Sequence, residues 1–197
     1  MVYRIGLTGN IACGKSTVGK LLEARGAEYI DADRLTHQLL EAGTPENARI
    51  VERFGLEVRA TDGRIDRPKL GAIVFADPAA LKDLEAILHP GVRALIRRRM
   101  AEATAQIVVV DAIKLFESGL YKELDTAWVV TCPRAEQLRR LTGTRGLTPE
   151  QAAMRIDAQG SQEDKVRLAN VVIDNGGLLA ETERQVDAAL TSITRTL

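Results

Sequence analysis

The sequence predicts an α/β protein in which short parallel strands lie buried between layers of helices. Five short apolar runs, at residues 2–8, 27–30, 106–111, 126–132 and 170–174, each give way to turn or polar residues. The later three are rich in Val and Ile at consecutive rather than alternating positions, as expected of strands covered on both faces. Between the runs, apolar residues recur at helical spacing. The chain has 197 residues, 45% of them hydrophobic, which suffices for a core of its own.

Taken in order, residues 2–8 are the first strand, and residues 16–25 carry Val18, Leu21 and Leu22 on one helical face. Residues 27–30 make a second strand. No strand signal follows until residue 106. Thr44-Pro45 and Asp77-Pro78 instead pair a capping residue with a proline at the first helical position, so residues of about 34–104 read as a helical insertion. Pro90 is expected to break it. A second helical excursion opens at Arg134 and restarts at Thr148, where Thr148 and Gln151 have capping-box spacing. The last helix places Leu179, Val186, Leu190 and Ile193 on one face. There is no internal repeat or low-complexity tract.

The first strand runs into Gly9-Asn10-Ile11-Ala12-Cys13-Gly14-Lys15-Ser16, which fits GxxxxGK[ST]. Glycines here let successive N–H groups turn inward, forming an anion nest at the positive end of the following helix. Lys15 is then placed to neutralise β and γ phosphates, and the Ser16 hydroxyl to coordinate Mg2+. Cys13, at that helix end and near an ammonium, is expected to have a lowered pKa and to react faster than Cys132.

Asp31 and Asp33 follow the second strand at the carboxyl edge of the expected sheet. A carboxylate there accepts a proton from an attacking hydroxyl or binds magnesium through water, or else it caps the next helix. Asp111 ends its strand as a Walker B aspartate does, or as a turn residue. Arg139, Arg140, Arg145 and Arg155 surround Gly143 and Gly146, a mobile cationic segment suited to covering the charge of phosphoryl transfer. His89, a lone histidine before Pro90, reads on its chemistry as a helix-end packing residue rather than a catalyst.

Composition excludes other classes. Lys plus Arg number 27 and Asp plus Glu 27, so no global field draws the chain to nucleic acid or membrane. No run approaches the ~20 apolar residues of a membrane span, nor is there an apolar amino-terminal segment of signal-peptide length. The chain is expected to be cytoplasmic. Two cysteines without CxxC spacing make neither a zinc site nor a disulfide framework. A guanine-reading Lys-x-Asp occurs nowhere, which argues against a nucleotide-dependent switch. A kinase for another small hydroxyl substrate, a nucleoside or nucleotide, shares the loop and is the alternative. Oligomeric state is left open.

The segments GLTGNIACGKS, DAD, GRIDRPKLGAIVF, LEAILHPGVRALI, KLFESG, CPRAEQLRRL, RIDAQ and VIDNGG occur in the order seen in bacterial dephospho-coenzyme A kinases, which the chain resembles from Ile5 to Gly177. The resemblance implies a single P-loop kinase-like domain, three-layered, with a five-stranded parallel sheet, a helical substrate lobe and a helical lid at about 134–168. It implies ATP-dependent phosphorylation of the ribose 3'-hydroxyl of dephospho-coenzyme A. Carried over by position, Gly9, Asn10, Ile11, Ala12, Cys13, Gly14, Lys15, Ser16 and Thr17 hold ATP, with Ser16 and Asp111 on magnesium. Asp33 matches the catalytic base, with Asp31 beside it. His89 and Pro90 match a substrate-lobe motif, Arg140 a lid arginine, and Gln159 and Asn175 the frame of the lid and adenine pocket. The chain departs from the family at Asn10, Ala12 and Cys13, where Gly, Gly and Ser are usual, at Ile113-Lys114, usually Pro-Leu, and at Thr144, usually Arg.

Overall fold

The computed structural model describes residues 2–194. Along the chain the elements are β1 (Tyr3–Gly9), α1 (Lys15–Ala24), β2 (Glu28–Asp31), α2 (Ala32–Leu39), α3 (Pro45–Phe54), α4 (Arg67–Ala76), α5 (Pro78–Glu102), β3 (Ile107–Asp111), β4 (Thr126–Thr131), α6 (Arg134–Arg145), α7 (Pro149–Asp157), α8 (Gln162–Leu168), β5 (Val171–Asp174) and α9 (Leu179–Thr194). Every apolar run predicted as a strand forms one, within about a residue at each end.

The strands make one five-stranded sheet in the order β2-β3-β1-β4-β5. β1 pairs in parallel with β3 and β4, and β4 with β5. All residues of β4 are buried, which is why its sequence does not alternate. Ile5, Leu7, Val109, Trp128, Val130 and Ile173 pack with Val18 and Leu22 of α1 and Val186 and Ile193 of α9 in the principal core. The register sets Asp111 opposite Leu7, so the carboxyl end of β3 lies next to the loop that leaves β1. That edge is where parallel α/β sheets bind ligands.

The chain divides into two compact units: residues up to Ile30 together with those from Ala103 onward, and a second unit, Asp31–Glu102. The second is helical and has its own core, including Leu39, Ile50, Phe54, Val58, Leu70, Val74 and Ile87. The cap signals act as read. Thr44 Oγ1 accepts from Asn47 N at 3.1 Å, and Thr148 and Gln151 exchange both capping-box bonds. Pro90 does not break the insertion as expected, because it lies inside a continuous α5. An interior proline costs a helix about 3 kcal/mol. Burial of Ile87, Leu88 and Ile96 and packing of α5 on α2, α3 and α4 outweigh that cost. Gly91 explains the neighbouring position: a Cβ there would lie 2.9 Å from Leu39 Cδ1, so glycine permits the close crossing with α2.

Candidate active site

The loop between β1 and α1 is held from outside by side chains that bind its carbonyls. Gln137 Nε2 donates to Ile11 O (2.8 Å), Arg140 Nη1 to Ala12 O (3.0 Å) and Asn175 Nδ2 to Cys13 O (2.8 Å). In a trans peptide the N–H points opposite to the carbonyl of the same plane. Tying three successive carbonyls to the surroundings therefore turns the N–H groups that follow them the other way, which leaves those of Ala12 and Gly14 for an anion nest. Cys13 N additionally bonds Asn10 O at 3.2 Å, closing the turn.

Two residues here have left-handed backbone, Ala12 at φ 60° and Gly14 at φ 88°. At Gly14 a Cβ would also collide with the Asn175 amide, so glycine is required twice over. Ala12 tolerates φ 60° at a cost of about 1–2 kcal/mol. Gly14 is the N-cap of α1, whose first residue is Lys15. Asn10 is 8% exposed and its Oδ1 is buried without a donor, while its Nδ2 holds Gly160 O at 2.9 Å. Gln159 Oε1 accepts from Ile11 N at 2.6 Å.

Lys15 Nζ forms an ion pair with Asp111 Oδ1, and the Tyr29 hydroxyl donates to Asp111 Oδ2. Asp111 is buried, so these two donors satisfy a charge that would otherwise be costly to desolvate. The Ser16 side chain is exposed beside Lys15, and Thr17 N closes the first helical turn on Gly14 O at 2.9 Å. Among the described residues no three His, Cys, Asp or Glu side chains gather as a metal cluster.

Arg140 lies on the loop. Besides Ala12 O, it donates to Asn175 O at 2.6 Å, and its Nε to Glu136 Oε1 at 2.7 Å. Arg139 and Arg140 together pull the Glu136 carboxyl down to about 2. Leu141, Ala152 and Ile156 of α6 and α7 form a small core against which Ile11 and Ala12 pack. Asn175 is buried, with Oδ1 accepting from Thr182 Oγ1 at 3.0 Å.

Cys13 follows the expectation in the direction of its shift and departs from it in the cause. Its thiol is lowered, but the chief cause is a hydrogen bond from Cys132, whose own thiol is pushed up in return. Both side chains are buried, and Cys13 Sγ lies 3.3 Å from Gln162 Oε1.

In the helical unit, Asp31 caps α2 by accepting from Arg34 N at 2.9 Å. Asp33 is exposed in the first turn of α2. His89 and Pro90 sit mid-way along α5, His89 half-buried and Pro90 exposed. Sequence reasoning missed Tyr29, Gln137, Gln162, Thr182 and Lys165. Lys165 is buried on α8 with Nζ 3.7 Å from Glu117 Oε1. None of the five carried a local signal in the sequence.

The family model for dephospho-CoA kinase matches residues 3–181. The chain belongs to the dephospho-CoA kinase family. A dephospho-CoA kinase of Symbiobacterium thermophilum is 47% identical over 188 residues, covering 94% of this chain and 79% of that protein. The structure of a dephospho-CoA kinase from Campylobacter jejuni is 31% identical, with TM-score 0.73 over 100% of this chain and 99% of that one. The crystal structure of TT1252 from Thermus thermophilus is 36% identical, with TM-score 0.82 over 97% of each chain. The five-stranded sheet and its phosphate loop are thus a P-loop kinase fold of the dephospho-CoA kinase type, and the loop substitutions Asn10, Ala12 and Cys13 are accommodated within it.

Proposed function

We propose that the chain transfers the γ-phosphoryl group of ATP to the ribose 3'-hydroxyl of dephospho-CoA, giving CoA and ADP. One observation carries the reading: three successive loop carbonyls are tied outward beside Lys15 and Ser16, which leaves an inward set of N–H donors at the start of α1. Such a cradle binds a polyphosphate without reorganising, and catalysis of phosphoryl transfer is mostly positioning and electrostatic stabilisation.

The roles follow from the side chains. Lys15 exchanges Asp111 for phosphate oxygens when the triphosphate enters. Asp111, which keeps its Tyr29 hydrogen bond, and Ser16 Oγ would hold Mg2+. Two oxygen donors suit that ion. When bound, Mg2+ would neutralise charge on the phosphates. Arg140 holds the loop and covers the charge that develops on the transferred group. Asp33 accepts the proton of the ribose hydroxyl. Asp31 keeps α2 capped behind it, and the unit that carries Asp33, His89 and Pro90 holds the acceptor as a substrate lobe. The helices at about 134–168 serve as a lid. Among the described residues no helix is long and apolar enough to cross a membrane.

The test is ADP release with dephospho-CoA, nucleosides and nucleoside monophosphates as acceptors. Dephospho-CoA is expected to be the preferred acceptor by kcat/KM. A nucleoside or nucleotide that exceeds it would make the chain a kinase of another class.

A further inference from the structure

The spacing of the two cysteines predicts no disulfide framework, yet the fold brings them together. β1 lies beside β4 with Gly9 opposite Val130, so the loop that leaves β1 runs past the end of β4, where Cys132 stands. Cys132 Sγ is 3.8 Å from Ala12 O, the carbonyl of the peptide that joins Ala12 to Cys13. Gln162 Oε1 lies 3.3 Å from Cys13 Sγ and accepts from Cys132 N at 3.4 Å, so one amide oxygen touches both residues. A hydrogen bond from the Cys132 thiol to Cys13 Sγ closes the group. Both are free thiols of the principal core, Cys13 0% and Cys132 2% exposed. Pro133, next in the chain, is exposed and Gln162 only half-buried, so the pair lies close under the surface, within reach of an oxidant as small as hydrogen peroxide. The phosphoryl transfer proposed above uses neither sulfur.

We propose that Cys13 and Cys132 form a redox-active dithiol, which a peroxide converts to a disulfide that reversibly disables the phosphate loop. The chemistry balances in two steps. The Cys13 thiolate attacks one oxygen of hydrogen peroxide and breaks the O–O bond; Cys13 becomes a sulfenic acid, and the other oxygen takes up the thiol's proton and leaves as water. The Cys132 sulfur then attacks the sulfenic sulfur, and the sulfenic oxygen leaves as a second water with the Cys132 proton. Two thiols thus give up two electrons and two protons to one peroxide. Cys13 is the sulfur that attacks first. The Cys132 thiol and, more weakly, the Arg140 guanidinium hold it below the ordinary thiol range against the opposing effect of burial, while Cys132, the donor, is pushed up. Gln137 Nε2 also donates to Cys13 Sγ, at 3.4 Å. Hydrogen-bonded sulfurs are already in contact, so a disulfide of ~2 Å is within reach of side-chain rotation and a small shift of the loop. That shift is what alters function. Cys13 stands between Ala12, already at φ 60°, and Gly14, whose N–H groups form the nest. Drawing Cys13 toward β4 moves those groups from the positions that the tied carbonyls of Ala12 and Cys13 give them.

Reduced wild type and Cys132→Ala are to be treated with hydrogen peroxide and sampled over time for intact mass, peptide maps after thiol blocking, ATP affinity by calorimetry and turnover with dephospho-CoA. Wild type is expected to lose two hydrogens, to yield a peptide cross-linked through Cys13 and Cys132, and to lose ATP affinity and turnover by about tenfold or more, because small misplacements at a reacting phosphate are costly. The loss should track the cross-linked peptide and be undone by dithiothreitol. Cys132→Ala is expected to bind ATP as wild type does before treatment and, on treatment, to stop at a Cys13 sulfenic acid that dimedone traps. Should Cys132→Ala not fold, Cys132→Ser is judged by the same criteria. No cross-linked peptide in wild type, a cross-link that leaves ATP affinity and turnover unchanged, or a loss that runs ahead of the cross-link overturns the proposal. The cross-link and the ATP affinity do not depend on the acceptor: if untreated protein fails to phosphorylate dephospho-CoA the kinase reading falls, and those two readouts still decide the dithiol.

Discussion

At the scale of single residues, Lys15 has two jobs. In the proposed reaction it neutralises the phosphates, and in the structure it neutralises the buried Asp111. Lys15→Ala is therefore expected to lower turnover by orders of magnitude and also to destabilise the fold by about 1–3 kcal/mol, since a buried carboxylate loses its cation. Adding Asp111→Asn should recover most of that stability without recovering activity, which thermal melts and kinase assays of the double variant would check. The paired aspartates divide similarly. Asp31 spends its side chain on the α2 cap, a role that Asn fills almost as well, so Asp31→Asn should change little. Asp33→Asn should cut kcat by ~100-fold or more with little change in ATP affinity. Equal, small effects at both positions would remove Asp33 from the chemistry. The loop was legible in the sequence because its glycines, Lys15 and Ser16 lie in one contiguous stretch. The Cys13 environment was not, because its main partner, Cys132, is 119 positions away and comes near only when β4 pairs with β1.

At the scale of elements, α6 fixes the loop through one chain of contacts, Glu136 to Arg140 to the carbonyls of Ala12 and Asn175. The Glu136 carboxyl is depressed in the folded state to about 2, from an ordinary 4.5. Its contribution to stability is thus fully present above about 4.5 and is lost as the pH falls toward about 2. Glu136→Gln should lower Tm at neutral pH, and its difference from wild type should shrink over that window. A difference independent of pH would mean that the carboxylate acts by packing alone. Helix starts were readable wherever a capping side chain precedes a proline, as at Thr44, Asp77 and Thr148. The continuity of α5 through Pro90 was not, because local propensity argues for a break and only the packing of Ile87 and Ile96 decides otherwise. Gln137 and Gln162 escaped notice for a related reason: a glutamine carries no local signal, and its value here comes from reaching the loop carbonyl and the two cysteines across the fold.

At the scale of the whole molecule, the order β2-β3-β1-β4-β5 brings the loop after β1 and the end of β3 to one edge of the sheet, so that Lys15 and Asp111, 96 positions apart, become partners. The sheet could be anticipated from the apolar runs alone, but strand order and pairing depend on contacts between distant segments that composition does not record. The central claim is that this edge transfers phosphate to one particular hydroxyl. The most direct measurement is phosphorus and proton NMR, with mass spectrometry, of the product made from MgATP and dephospho-CoA. A single product is expected, with the new phosphomonoester on the ribose 3'-oxygen and one ADP formed per product molecule. Phosphorylation at another hydroxyl, or ADP formed without a phosphorylated acceptor, would contradict the account.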